Sequence, residues 1–227
     1  MTFYRRSGKF YDRGLVGYWK LDDLKAGPGA VAIDQARFID GTITGAVLTA
    51  GINGLNPDAM QFTTSDSITT SGTVGDMFPG MTIVTPFSIS CICKLDADDP
   101  GEHSTFFNIF GPGEFDGYAF GHNFERGYYM KVGDSELYEG PNPTGHFDQT
   151  VSVIFVYDGL NIKTYIDGVL IISQDRGAAP DINTSTVPKI AVAAAFDAAW
   201  KGTLQNLRVY NRTLTPGEAS KLYRFRL

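Results

Sequence analysis

The chain has 227 residues, 43% of them hydrophobic and 19% charged, which describes a globular protein and excludes an intrinsically disordered one. The formal net charge of -6 argues against a nucleic-acid binder, which needs a basic face. No apolar run reaches membrane-spanning length, and the length fits one large all-β domain better than two small ones.

The charge is unevenly placed. Arg5, Arg6, Lys9 and Arg13 stand against Asp12 alone, so residues 1–13 read as a basic arm on an acidic body, residues 14–227. Stretched at about 3.3 Å per residue, such an arm reaches roughly 40 Å, far enough to lie on a neighbouring subunit. The expectation is that Phe3, Tyr4, Arg5, Arg6, Lys9, Phe10 and Tyr11 bind a partner; the alternative is a solvated terminus. Met1–Arg6 lacks the apolar core of a secretory signal, so synthesis in a cytoplasm is expected.

Leu15–Leu21 reads as the first strand, followed by short strands at Val31–Ile33, Thr42–Val47, Met60–Thr63 and Ser67–Thr70. A long strand over residues 82–95 carries both cysteines, Cys91 and Cys93. Residues two apart share a strand face, so Phe87, Ile89, Cys91, Cys93 and Leu95 are expected inside. Their nearly parallel Cβ vectors disfavour a disulfide and suit two buried thiols. Ser104–Phe110, Tyr118–His122 and Tyr128–Val132 form a meander.

From Val151 to Ser173 the pattern is clearest. Asp158-Gly159 and Asp167-Gly168 interrupt alternating apolar runs, and a D-G pair in that setting marks a tight hairpin turn. Three antiparallel strands follow from two such turns. Lys189–Phe196 and Leu204–Tyr210 are the last strands. Thr215-Pro216-Gly217-Glu218 is a capping box that opens a short C-terminal helix.

Three ordered blocks resemble a known family: Gly14–Asp22, Val156–Leu170 and Gly202–Glu218. They are similar to the first strand, the central hairpins and the last strand plus helix of bacterial and viral laminin G-like domains. The resemblance implies an all-β, two-sheet antiparallel jelly-roll sandwich of the concanavalin A-like type. It also implies that calcium is admitted, though not required, at the ends of the first and last strands. Those places hold Asp22, Asp23, Gln205 and Asn206, where amides stand for the family's acids. Calcium prefers several carboxylate or carbonyl oxygens, so the substitution weakens the site.

Catalysis on such a fold needs two carboxylates about 5–10 Å apart. The sequence has no strand of alternating acids. Its nearest approach, Asp134-Ser135-Glu136-Leu137-Tyr138-Glu139, sits between Gly133 and Gly140-Pro141 and is read as a loop; Asp96, Asp98 and Asp99 read as an acidic turn. The expectation is a non-catalytic, lectin-like structural or adhesion protein on a virion surface, such as a bacteriophage capsid decoration or tail protein. It would be made in the host cytoplasm and be oligomeric, docked through its arm on capsid or tail subunits. The alternative is an extracellular carbohydrate-binding module, with Tyr118, Tyr129 and Trp200 as sugar platforms and His122 and Asn123 as polar partners.

Overall fold

The structure is a computed structural model. It describes residues 13–22, 29–36, 39–52, 57–82, 85–97, 103–109, 117–123, 127–132, 136–139, 146–175, 184–192 and 198–224. In chain order the strands are β1 (Leu15–Trp19), β2 (Val31–Ala32), β3 (Gly41–Thr44), β4 (Val47–Ala50), β5 (Asp58–Phe62) and β6 (Ser67–Thr70). After helix α1 (Val74–Met77) come β7 (Phe87–Leu95), β8 (His103–Asn108), β9 (Tyr118–Asn123), β10 (Gly127–Val132) and β11 (Glu136–Glu139). The chain then continues through β12 (Thr150–Tyr157), β13 (Asn161–Ile166), β14 (Val169–Asp175), β15 (Lys189–Ile190), β16 (Ala198–Ala199), β17 (Gly202–Tyr210) and helix α2 (Pro216–Arg224).

Two sheets form the sandwich. One runs β14-β13-β12-β7-β17-β5-β4, with β1 also on β17; the other runs β11-β10-β9-β8-β15-β6-β3-β2, with β16 on β8. Among the described residues every strand pair is antiparallel except β16 with β8. The expected all-β, two-sheet antiparallel jelly roll with a short C-terminal helix is what the chain forms.

Alternation explains most of the layering. Phe87, Ile89, Cys91, Cys93 and Leu95 of β7 point into the core between the sheets, where they meet Phe107, Tyr118, Phe120 and Tyr128. Both cysteines are buried and free, as the sequence suggests. Burial pushes the Cys91 thiol well up, helped by Cys93 beside it, so it stays a protonated, apolar-like group. The Asp167-Gly168 turn has φ of 50° and 78°, the doubly positive pair of a type I′ hairpin.

β17 departs from strict alternation. Simple period two from Leu204 would point Asn206 and Arg208 into the core. Instead a bulge lies between Gln205 and Arg208 in the pairing with β7, and Asn206 takes the left-handed conformation at φ 55°. Asparagine tolerates that region better than most residues. The bulge shifts the phase so that Leu204, Leu207 and Val209 all face inward. Tyr210 turns outward into a second cluster with Ile154, Val156 and Tyr165, which Leu214, Ala219 and Leu222 cover.

Local expectations need correction, and one element is additional. Thr42–Val47 is not one strand, because the chain changes sheet at Gly45 (φ 81°), giving β3 and β4 in different sheets. Residues 136–139 are not a loop but edge strand β11, paired with β10 through four residues. The four-residue helix α1 was not foreseen; Thr73 caps it, and Asp76 returns the bond to the Thr73 N–H at 2.8 Å. Arm residues 1–12, Asp23, Asp98, Asp99, Asp134 and the turn at 111–113 lie outside the described residues.

At the capping box of α2, Glu218 accepts from the Thr215 N–H (2.9 Å) and the Thr215 Oγ1 takes the Glu218 N–H (3.2 Å). Both Glu218 oxygens also bind Arg212, at 2.9 and 2.8 Å, and the Arg212 Nε donates to the Arg13 carbonyl at 2.7 Å. Glu218→Ala is therefore expected to cost about 1–2 kcal/mol in urea unfolding, with the sandwich otherwise intact.

Candidate functional site

The described carboxylates are engaged mainly in holding the backbone. The Asp34 Oδ1 accepts from the N–H groups of Tyr18 (2.7 Å) and Ala36 (2.9 Å), and its Oδ2 from Ile39 (3.2 Å). Asp40 takes the Asp34 N–H, Asp66 the Thr63 N–H and Asp167 the Ser152 N–H. Asp158 takes the N–H groups of Leu160 and Asn161 and pairs with Lys163 at 2.7 Å. Asp96 accepts from the Gln61 amide. Each is a turn, cap or cross-strand tie.

The residues expected to bind calcium serve the same end. The Gln205 amide donates to the Asp58 carbonyl, while its Oε1 accepts from the Ile52 N–H at 3.3 Å. The Asn206 Oδ1 accepts from the Tyr18 hydroxyl at 3.0 Å. Both side chains are buried, with their oxygens facing donors, so Gln205 and Asn206 do not fit a calcium site. Asp22 is half-buried, and the described residues contain no group of three or more His, Cys, Asp or Glu able to hold a metal.

The five residues expected at a sugar surface are all buried: Tyr118, Tyr129 and Trp200 at 0% exposure, His122 at 2% and Asn123 at 4%. This corrects the picture of exposed ring platforms. Tyr118 packs on Phe87 (4.9 Å, edge to face), and Trp200 meets Phe106 at 5.6 Å. Tyr129 shares a hydrogen bond of 2.8 Å with Thr105. On a strand, alternation leaves open which aromatic rings meet solvent; packing decides.

The fold does bring His122 into a constellation that the sequence does not announce. At one end of the sandwich β7 finishes at Leu95, β9 at Asn123, and β12 begins at Thr150. There the His122 ring lies 5.0 Å from Tyr128 and 5.5 Å from Phe147, edge to face with both, and His146 lies 6.0 Å from Tyr128. The Cys93 thiol donates to the Tyr128 hydroxyl at 3.4 Å. The His122 Nε2 and the His146 Nδ1 are buried with no hydrogen-bond partner among the described residues.

Burial, with His146 adding to it, pushes His122 down to about 4, and burial also lowers His146. A neutral His122 imidazole therefore backs the Phe147 ring at neutral pH. In front, His146 and Phe147 are half-buried, Asp148 is exposed, and Lys94 stands 3.6 Å from the Asp148 carboxylate. A ring, an acceptor and a donor thus share one partly open rim. Only the separation of Lys94 from His146–Asp148, and the parallel bridge of Phe147 to Leu95, hide this grouping from a linear reading.

Gly202 supports the same end from β17. Its φ is 149°, and a Cβ there would run into the Lys94 carbonyl oxygen and lie 3.0 Å from the Leu95 Cα. Gly202→Ala is expected to destabilise the domain by about 2–3 kcal/mol, read from a shifted urea midpoint.

Comparison with known proteins agrees with this architecture. No curated protein matches the sequence. Domain 4 of AbnA, an extracellular GH43 arabinanase from Geobacillus stearothermophilus solved in complex with arabinotriose, superposes with a TM-score of 0.68 at 20% identity, covering 92% of this chain and 98% of that one. The binding domain of Paraclostridial Mosquitocidal Protein 1 gives 0.67 at 14% identity, covering 94% of this chain and 52% of that one. The Trypanosoma rangeli sialidase in complex with the inhibitor DANA gives 0.64 at 16% identity, covering 91% of this chain and 32% of that one. The chain thus spans about half of the toxin binding domain and about a third of the sialidase, and at these identities the likeness is one of fold. A laminin G family model of the concanavalin A-like lectin/glucanases superfamily matches residues 62–220, and the chain belongs to that family.

Proposed function

We propose that this chain is a non-catalytic recognition module that binds carbohydrate and serves adhesion. The observation that carries the reading is that, among the described residues, Asp34, Asp40, Asp66, Asp158, Asp167 and Glu218 hold turns and caps with their carboxylates. A glycosidase needs acids held free of such bonds, one to donate a proton and one to attack or activate water. Supporting the ligand class, the arabinanase domain matches this chain almost end to end and was solved with arabinotriose. The test is titration with arabinotriose and a panel of neutral oligosaccharides, with a reducing-end assay on the same mixtures. Saturable binding without new reducing ends is expected; release of reducing ends would overturn the non-catalytic reading.

A finer reading concerns where the module works. Its basic, aromatic N-terminus against an acidic whole suits docking on other protein subunits. On this reading the chain is a bacteriophage virion surface component, a capsid decoration or tail adhesin, made in the host cytoplasm and anchored by Arg5, Arg6, Lys9 and the rings of Phe3, Tyr4, Phe10 and Tyr11. Deleting residues 1–13 should abolish incorporation into particles while leaving the circular dichroism spectrum unchanged. Incorporation at the full-length level would refute the docking role.

A further inference from the structure

The rim at the end of the sandwich has features that the core packing does not require. Asp148 is a non-glycine residue at φ 56°, held there by its own N–H donating to the Leu95 carbonyl at 2.8 Å. Strain of this kind concentrates at ligand clamps. The conformation leaves the Asp148 side chain 59% exposed beside a Lys94 that is 35% exposed. At 3.6 Å they form an ion pair that is too long for a hydrogen bond, so each keeps hydrogen-bonding capacity for a hydroxyl. Next to them Phe147 is half-buried, packed against the core and edge to face with His122.

A sugar ring matches this set. Its C–H face stacks on an aromatic ring, and each hydroxyl both donates and accepts. A hydroxyl placed between Lys94 and Asp148 would accept from the ammonium and donate to the carboxylate. The Asp148 charge and the net -6 of the chain disfavour an acidic sugar. We propose that Phe147, Asp148 and Lys94 form the sugar-contacting patch of this domain, with a neutral sugar stacked on Phe147 and one of its hydroxyls bridging Lys94 and Asp148. This rests on the carbohydrate-binding reading and places its site.

The test is calorimetric titration of the full chain with arabinotriose and the neutral oligosaccharide panel, in wild type and in Phe147→Ala, Phe147→Leu, Asp148→Asn, Lys94→Met and Lys163→Met. Phe147→Ala should weaken binding about 10-fold, and Asp148→Asn and Lys94→Met about 5-fold each. Lys163→Met, near the far end of β12, should bind as wild type. Phe147→Leu keeps the apolar packing while removing the ring face, and should lose affinity at an unchanged melting temperature. Selectively labelled Phe147 should show ring-proton shifts on adding the sugar. Wild-type binding that survives all the rim substitutions would overturn the patch and leave the carbohydrate reading standing. No binding by wild type and no shift at Phe147 would overturn both.

Discussion

Asp34→Ala is expected to lower the unfolding free energy by about 3–5 kcal/mol, because one buried and two partly buried N–H groups lose their acceptor at once. The carboxylate is 2% exposed and holds Tyr18 of β1 to Ala36 and Ile39. Around it, the Trp19 indole donates to the Ile39 carbonyl at 3.2 Å and Trp19 forms a bridge with Asp34. The segment after β2 is thus tied to the first strand through one side chain. At this chain length the loss corresponds to a fall of about 10 °C in the melting temperature. Asp34→Asn keeps the shape but turns an amide donor towards one of the N–H groups, so it should recover only part of the loss. Equal stability of Asp34→Ala and wild type in urea unfolding would show that the N–H groups find other partners.

Stability is expected to fall by about 3 kcal/mol as pH drops from 6.5 to 4, with His122 as the main cause. Burial, then His146, holds His122 down to about 4 in the folded state. The unfolded chain therefore takes up the proton first as pH falls below its ordinary value. Above that value both states are neutral and nothing is lost; below about 4 both are charged and the loss is complete. Burial lowers His146 too, so its contribution has the same sign. Urea midpoints at pH 4.5, 5.5, 6.5 and 7.5 check this. His122→Phe should flatten most of the slope, since the ring contacts with Tyr128 and Phe147 survive without the titrating nitrogen. An unchanged slope in that variant would remove His122 from the account.

The rim connects these stability arguments to recognition. His122, itself packed on Tyr128, supports Phe147 from within, and Gly202 lets β17 close on Lys94 and Leu95. Weakening either support is expected to disturb binding indirectly, which is why the substitutions that test the patch are confined to Phe147, Asp148 and Lys94. The capping and turn carboxylates hold the rest of the sandwich and lie apart from the proposed chemistry.

Local chemistry made much of the fold legible in the sequence. Period-two alternation in β7, β12 and β13, the two D-G turns and the Thr215–Glu218 box each express contacts between residues close in the chain, and each appears where expected. The change of sheet at Gly45 and the phase shift at Asn206 were not legible, because a bulge or a crossing is chosen by which neighbouring strands the chain must satisfy. The site followed the same division. Sequence alone marked His122 as a polar residue among aromatics, but it equally marked Tyr118, Tyr129 and Trp200, which packing removed from solvent. Only the tertiary structure set Lys94 beside Asp148 and left Phe147 half-buried at the rim. The reason is physical: alternation specifies the side of a strand, whereas exposure depends on what the opposite sheet and distant loops lay over that side.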